Sequence, residues 1–121
     1  MNRISTATRN NARCLFCVAY FFNDFANGVQ PAKARLLYAV QAPNATSLTA
    51  SAKTTVAAWR SKPSWYAVSK QDRTINPELE RFMAARMKAT TIEVDSGHLS
   101  LVSHPDAITK LILAAAGRSS G

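Results

Sequence analysis

Few side chains in this 121-residue sequence could carry acid–base chemistry, and the two histidines are the first candidates. His98 and His104 both lie in "DSGHLSLVSHPD", residues 95–106. An imidazole, with its usual pKa of about 6.5, can take and return a proton near neutral pH. To work as a general base it needs a carboxylate on one ring nitrogen. That partner fixes the tautomer and stabilises the imidazolium formed when the other nitrogen takes the proton. Asp72, in "SKQDRTINP", is the candidate carboxylate and His98 the candidate base. His104 directly precedes Pro105 and is expected to end its loop in solvent. The other reading of Asp72 is a turn or capping aspartate.

Positioning such a pair requires two chain segments to deliver it to one place. "PSWYAVS" (63–69) is a short apolar run behind a proline and predicts a buried strand. "TTIEV" (90–94) predicts a second strand. Between them Asn76-Pro77-Glu78 starts a helix with acids in its first turn, on which Leu79, Phe82, Met83 and Met87 share a face. A last helix opens at Pro105-Asp106, carries the stripe Ile108, Leu111, Ile112 and Ala115, and stops at Gly117. Strand, helix, strand, helix implies parallel strands under covering helices, an α/β class. In such a sheet ligand groups collect at the carboxyl ends of the strands. Asp72 follows the first strand and His98 the second, so parallel neighbours bring both loops to one sheet edge. The two side chains are expected to meet.

The N-terminal half gives broader signals. Pro31 opens a helix over 31–42 with Leu36, Leu37 and Val40 on one face, and 43–58 reads as a loosely helical connector. Trp59, Trp65 and Tyr66 read as core or sheet packing. Three arginines, no acid and an apolar run from Cys14 to Phe22 have the layout of a signal or transit segment. The run is too short to span a bilayer, and Ala26-Asn27-Gly28 is a poor cleavage site, so a cytoplasmic location is expected. Asn44-Ala45-Thr46 is a glycosylation sequon that would matter only on export.

Cys14 and Cys17 form a lone C-x-x-C inside an apolar run. Zinc would need further ligands at suitable spacing, so the pair reads as buried thiols, with no metal and no cofactor. The net charge of +8 suggests nucleic acid or an anionic membrane. Yet residues 1–70 hold nine Lys/Arg against Asp24 alone, while 71–121 hold six of each sign. The cations are dispersed, without a cluster interleaved with aromatics, which weighs against both partners.

"PSWYAVSKQDRTINPELERFMAARM" followed by "TTIEVDSGHLSLVSHPDAITKLI" closely resembles the C-terminal end of α/β-hydrolase fold enzymes. The likeness is greatest to the small esterase branch of plant methyl-ester and hydroxynitrile enzymes and their bacterial relatives. In that family a late strand ends in an acid within a D-x-x-x-x-P turn, matched by Asp72 to Pro77. The final strand delivers the catalytic histidine before the last helix, matched by His98. The resemblance covers 59–116. Residues 20–58, with "YFFNDF" and "PAKARLLYAVQ", resemble cap-region sequence, residues 1–19 are a basic segment without assignment, and 117–121 form a tail. It implies an incomplete α/β-hydrolase fold, late parallel strands with flanking helices plus a helical cap remnant. The implied chemistry is hydrolysis of a small-molecule carboxylic ester, or a related acyl bond, through a Ser–His–Asp triad.

The family's early strands, oxyanion loop and nucleophile elbow should precede residue 20, where the sequence offers no match for them. A literal G-x-S-x-G occurs at 117–121, but it follows a helix, whereas an elbow joins a strand to a helix. Ser119 therefore reads as tail, and Ser96, Ser100 and Ser103 lie too close to His98 in sequence to act as its nucleophile. The expectation is an acid–base half of a triad, inactive alone. Three alternatives remain: a non-catalytic interaction module that self-associates through an exposed sheet edge, one half of a split hydrolase, or a basic nucleic-acid binder.

Overall fold

The computed structural model describes residues 18–41 and 53–117. Helix α1 (Val18–Tyr20) runs directly into a wider turn, Phe21–Phe25, closed by the Ala26 N–H donating to the Phe21 carbonyl at 2.7 Å. That i→i+5 bond inserts one extra residue per turn and turns the phenylalanines inward. Phe21 is buried with Ala26 and Ala34, and Phe22, Phe25, Val29, Leu37, Tyr38 and Leu99 pack around them. The Phe21 ring lies 5.4 Å from Phe22, 5.4 Å from Phe25 and 5.1 Å from Tyr38, typical aromatic spacing. Helix α2 (Pro31–Ala39) follows, with Pro31 in its first turn and the Gln30 side chain accepting from the Lys33 N–H. Its buried side is Ala34 with Leu37 and Tyr38, while Leu36 and Val40 face water. The shared face of Leu36 and Val40 thus points outward.

Strand β1 (Trp65–Ser69), helix α3 (Pro77–Arg86), strand β2 (Thr90–Val94), the short helix α4 (Ser100–Ser103) and helix α5 (Pro105–Ala115) complete the described chain. β1 and β2 pair in parallel, Trp65 opposite Thr90 through Ser69 opposite Val94. Among the described residues these are the strands present, a small part of a parallel sheet. Of the connector expected over 43–58, residues 43–52 lie outside the described chain. The described part is helical only in a single tight turn, Ala58–Arg60. Cys14, Cys17, the sequon and Ser119 also lie outside the described residues.

Each local signal has a visible cause. Asn76 caps α3 by accepting from the Glu78 N–H at 2.8 Å, with Pro77 in the first turn, where its missing N–H costs nothing. Gly117 sits just past α5 at φ 69°, the left-handed conformation of a helix stop. Helix α3, however, turns its apolar stripe the other way. Glu80 and Ala84 are buried, whereas Leu79 is 49 % and Phe82 59 % exposed. The strands bury mainly their carboxyl ends, Val68, Ser69 and Val94, while Thr90, Thr91 and Glu93 are exposed. Arg81 spans from α3 to β2 through a bidentate pair with Glu93 at 2.7 and 2.9 Å. No helix among the described residues is long and apolar enough to cross a membrane.

Candidate functional site

Beyond the strands the two chains stay paired. The Lys70 N–H donates to the Val94 carbonyl at 2.9 Å and the Gln71 N–H to the Ser96 carbonyl at 3.0 Å. Lys70 and Asp95 add an ion pair at 2.8 Å. The chain then turns at Asp72, whose Oδ1 accepts from the Thr74 N–H at 2.6 Å and the Ile75 N–H at 2.9 Å. This is the side-chain turn that aspartate favours. Asp72 Oδ2 is left facing His98 Nδ1 at 2.7 Å. Turn-maker and acid partner are thus one residue, each role using its own oxygen.

The Asp72 side chain is 2 % exposed and that of His98 24 %. Burial pushes the Asp72 carboxyl up, but hydrogen bonds from the Ile75 N–H, His98 and the Thr74 N–H outweigh it and hold the pKa below the ordinary value. Asp72 is therefore ionised at neutral pH and can only accept. His98 Nδ1 must carry the proton of that bond, which leaves Nε2 with a lone pair. Among the described residues no hydrogen bond engages Nε2. His104 is exposed, its Nδ1 3.0 Å from the Ser103 hydroxyl, and takes no part in the pair.

The helical segment packs directly on this centre. The Phe25 ring lies 4.9 Å from the His98 ring. Asn27 Nδ2 donates to the Gln71 carbonyl at 2.8 Å, and Arg73 Nη1 to the Asn23 carbonyl at 3.3 Å. Gly97 makes this approach possible, because a Cβ there would overlap the Asn27 carbonyl and its side-chain amide. Gly97→Ala is expected to destabilise the chain by about 1–3 kcal/mol, the usual cost of overpacking. It should also weaken the contact of Asn27 with Gln71, read as loss of the Phe25–His98 nuclear Overhauser contact. An unchanged melting temperature with that contact intact would contradict it.

Glu80 also reaches the site and is 4 % exposed. Its Oε2 accepts from the Ser69 N–H at 2.9 Å, and its carboxyl adjoins that of Asp72, whose own N–H donates to the Ser69 carbonyl at 3.1 Å. The sequence placed it among the acids of a helix start, where a carboxylate usually sits in water. Its one legible signal is its spacing of four residues from Ala84, which puts both on one helix face. Trp59 lies under the Arg60 and Arg86 guanidiniums at 5.2 and 5.7 Å. It lines a recess of about 400 Å³ with Tyr66, Met83 and Met87 that excludes Asp72 and His98. Among the described residues no group of three or more His, Cys, Asp or Glu is arranged to hold a metal ion.

A buried acid and a histidine meet on successive loops at the carboxyl edge of parallel strands, where open α/β sheets collect their ligand groups. A family model described as the alpha/beta hydrolase family matches residues 3–111, and the chain belongs to that family. The match takes in most of residues 1–19, to which the motifs assign nothing. No curated protein and no solved structure matches the chain significantly.

Proposed function

We propose that Asp72 and His98 are the acid and base of a hydrolytic triad acting on carboxylic esters or related acyl compounds. The observation that supports this most is the 2.7 Å contact between a buried, ionised Asp72 and His98 Nδ1, with Nε2 unengaged by the described residues. In the reaction, Nε2 takes the proton of an attacking hydroxyl while Asp72 stabilises the imidazolium. Nε2 then returns the proton to the leaving alcohol. Water repeats the cycle on the acyl intermediate. The nucleophile and the oxyanion donors come from a segment bearing a strand–elbow–helix, which the motifs of these residues do not supply. The chain alone is expected to be inactive, with a small ester as the substrate of the assembled site.

The test is complementation. The chain is mixed with the strand-and-elbow portion of an active family member and assayed on a small activated ester. Turnover should appear only in the mixture, whereas the chain alone should match its own His98→Ala control. A physically confirmed complex without turnover would end this reading.

A second reading, self-association, draws support from the exposed Leu79, Phe82 and Leu101 and from β1 having, among the described residues, a strand partner on one edge only. Unpaired strand edges and exposed apolar surface favour association. Sedimentation should show a concentration-dependent dimer. A monomer at every concentration, with a sharp thermal transition, would contradict it.

A further inference from the structure

We propose that Glu80 is a positioning residue that donates a hydrogen bond from its carboxylic acid to Asp72 and so holds Asp72 for His98. This inference rests on the acid–base role proposed for that pair. The geometry begins at the end of β1. In a parallel ladder alternate residues turn their N–H and C=O to the same side. The Ser64 carbonyl and the Lys70 N–H face β2, so the Ser69 N–H faces away from it. Glu80, rising from α3, takes that N–H at 2.9 Å through Oε2. One carboxyl oxygen thus acts as a fixed acceptor, and Asp72, whose N–H donates to the Ser69 carbonyl at 3.1 Å, is anchored to the same residue, so two buried carboxyl groups adjoin there.

Two carboxyl groups that share a hydrogen bond out of water hold one proton between them, because two adjacent charges would repel. The donors decide which group keeps it. Asp72 receives the Thr74 and Ile75 N–H groups and His98, all of which favour its charged form. Glu80 receives the Ser69 N–H alone. The proton therefore belongs to Glu80. The titration directions agree. Burial first, then Asp72 by hydrogen bond and charge, raises Glu80 against the opposing pull of the Ser69 N–H and His98. Among the described residues Tyr66 on β1 is a further titratable group close enough to interact with Glu80. Burial first, with the neighbouring carboxyl groups adding to it, raises its pKa, so it stays a neutral phenol. With Glu80 donating, the Asp72 carboxylate is held by a further donor, and Oδ2 remains aimed at His98.

The two shifts have opposite linkage. Asp72, lowered on folding, contributes stability that is present above its unfolded pKa and lost as pH falls through its folded value. Glu80, raised on folding, contributes stability that is full below its unfolded pKa and lost as pH rises through its folded value. Glu80→Gln is neutral throughout and keeps a donor and an acceptor, so it should erase only the loss that comes as pH rises through the folded Glu80 value.

The direct experiment is a carboxyl ¹³C NMR titration of the intact chain. Glu78, Glu80 and Glu93 are its glutamates, so Glu80→Gln assigns the Glu80 signal by its disappearance. Glu80 should titrate above the ordinary glutamate range and Asp72 below the ordinary aspartate range. Ring ¹⁵N shifts of His98 should report the Nδ1–H tautomer in the native chain and in Glu80→Gln, and lose it in Glu80→Leu. Glu80 titrating at or below the ordinary range would overturn the proposal, as would a folded Glu80→Leu with the native tautomer. If Glu80→Leu does not fold, the native titration and the Gln variant still decide. None of these readouts needs turnover. An assembled complex without esterase activity would sink the functional reading and leave this one standing.

Discussion

In the complemented assembly, Asp72→Asn should lower kcat about 10⁴-fold, the scale on which a triad acid acts. The site's own hydrogen bonds explain why an isosteric change costs so much. The Thr74 and Ile75 N–H groups hold the Oδ1 position, so the amide oxygen of the introduced asparagine must sit there. Its NH₂ then faces His98 Nδ1, which becomes an acceptor. The ring proton moves to Nε2, where a lone pair is needed. The fold should survive, because the turn bonds are kept. His98→Ala should remove turnover to the level of the base-free assembly, and His104→Ala should leave it unchanged, since the His104 ring pairs with the Ser103 hydroxyl and not with Asp72 or His98. Steady-state kinetics on one ester check all three. An Asp72→Asn assembly with native kcat would show that the carboxylate only shapes the turn.

Phe21→Ala should destabilise the chain by about 3–5 kcal/mol, the usual cost of emptying a buried phenylalanine site. Phe21 is 1 % exposed and lies against Phe22, Phe25 and Tyr38. Domains hold only about 5–15 kcal/mol in total, so the loss takes a large share. The effect should also reach the site, because Phe25 connects this cluster to the His98 ring. Urea unfolding should show a lower midpoint. A midpoint equal to the native one would mean that the Phe21 cluster adds nothing to the fold.

The parts of this architecture legible in the sequence are those fixed by local chemistry. Thr90–Val94 is a β-branched run and forms β2 over those residues. Asn76-Pro77 and Pro105 start helices because proline suits a first turn. The meeting of Asp72 and His98 follows from two parallel strands whose outgoing loops must share an edge. What stayed hidden depends on which face of an element meets its neighbour. Periodicity groups Leu79, Phe82 and Met83, but it cannot say that the sheet takes the side of Glu80 and Ala84. Ala84 permits a close approach of helix to strand, and Glu80 gains the Ser69 N–H and Asp72 there. The Asn27–Gly97 approach was hidden for a similar reason. It joins residues far apart in sequence by contact alone, and Gly97 reads locally as an ordinary loop glycine.

The central claim is that Asp72 and His98 act as one unit, and a double variant tests it most directly. In the complemented assembly kcat is measured for Asp72→Asn, for His98→Ala and for both together. Members of one catalytic unit are strongly non-additive, so the double variant should fall no further than His98→Ala alone. If instead the two losses multiply, Asp72 works independently of the histidine, and the pairing seen at 2.7 Å is a structural contact without a role in catalysis.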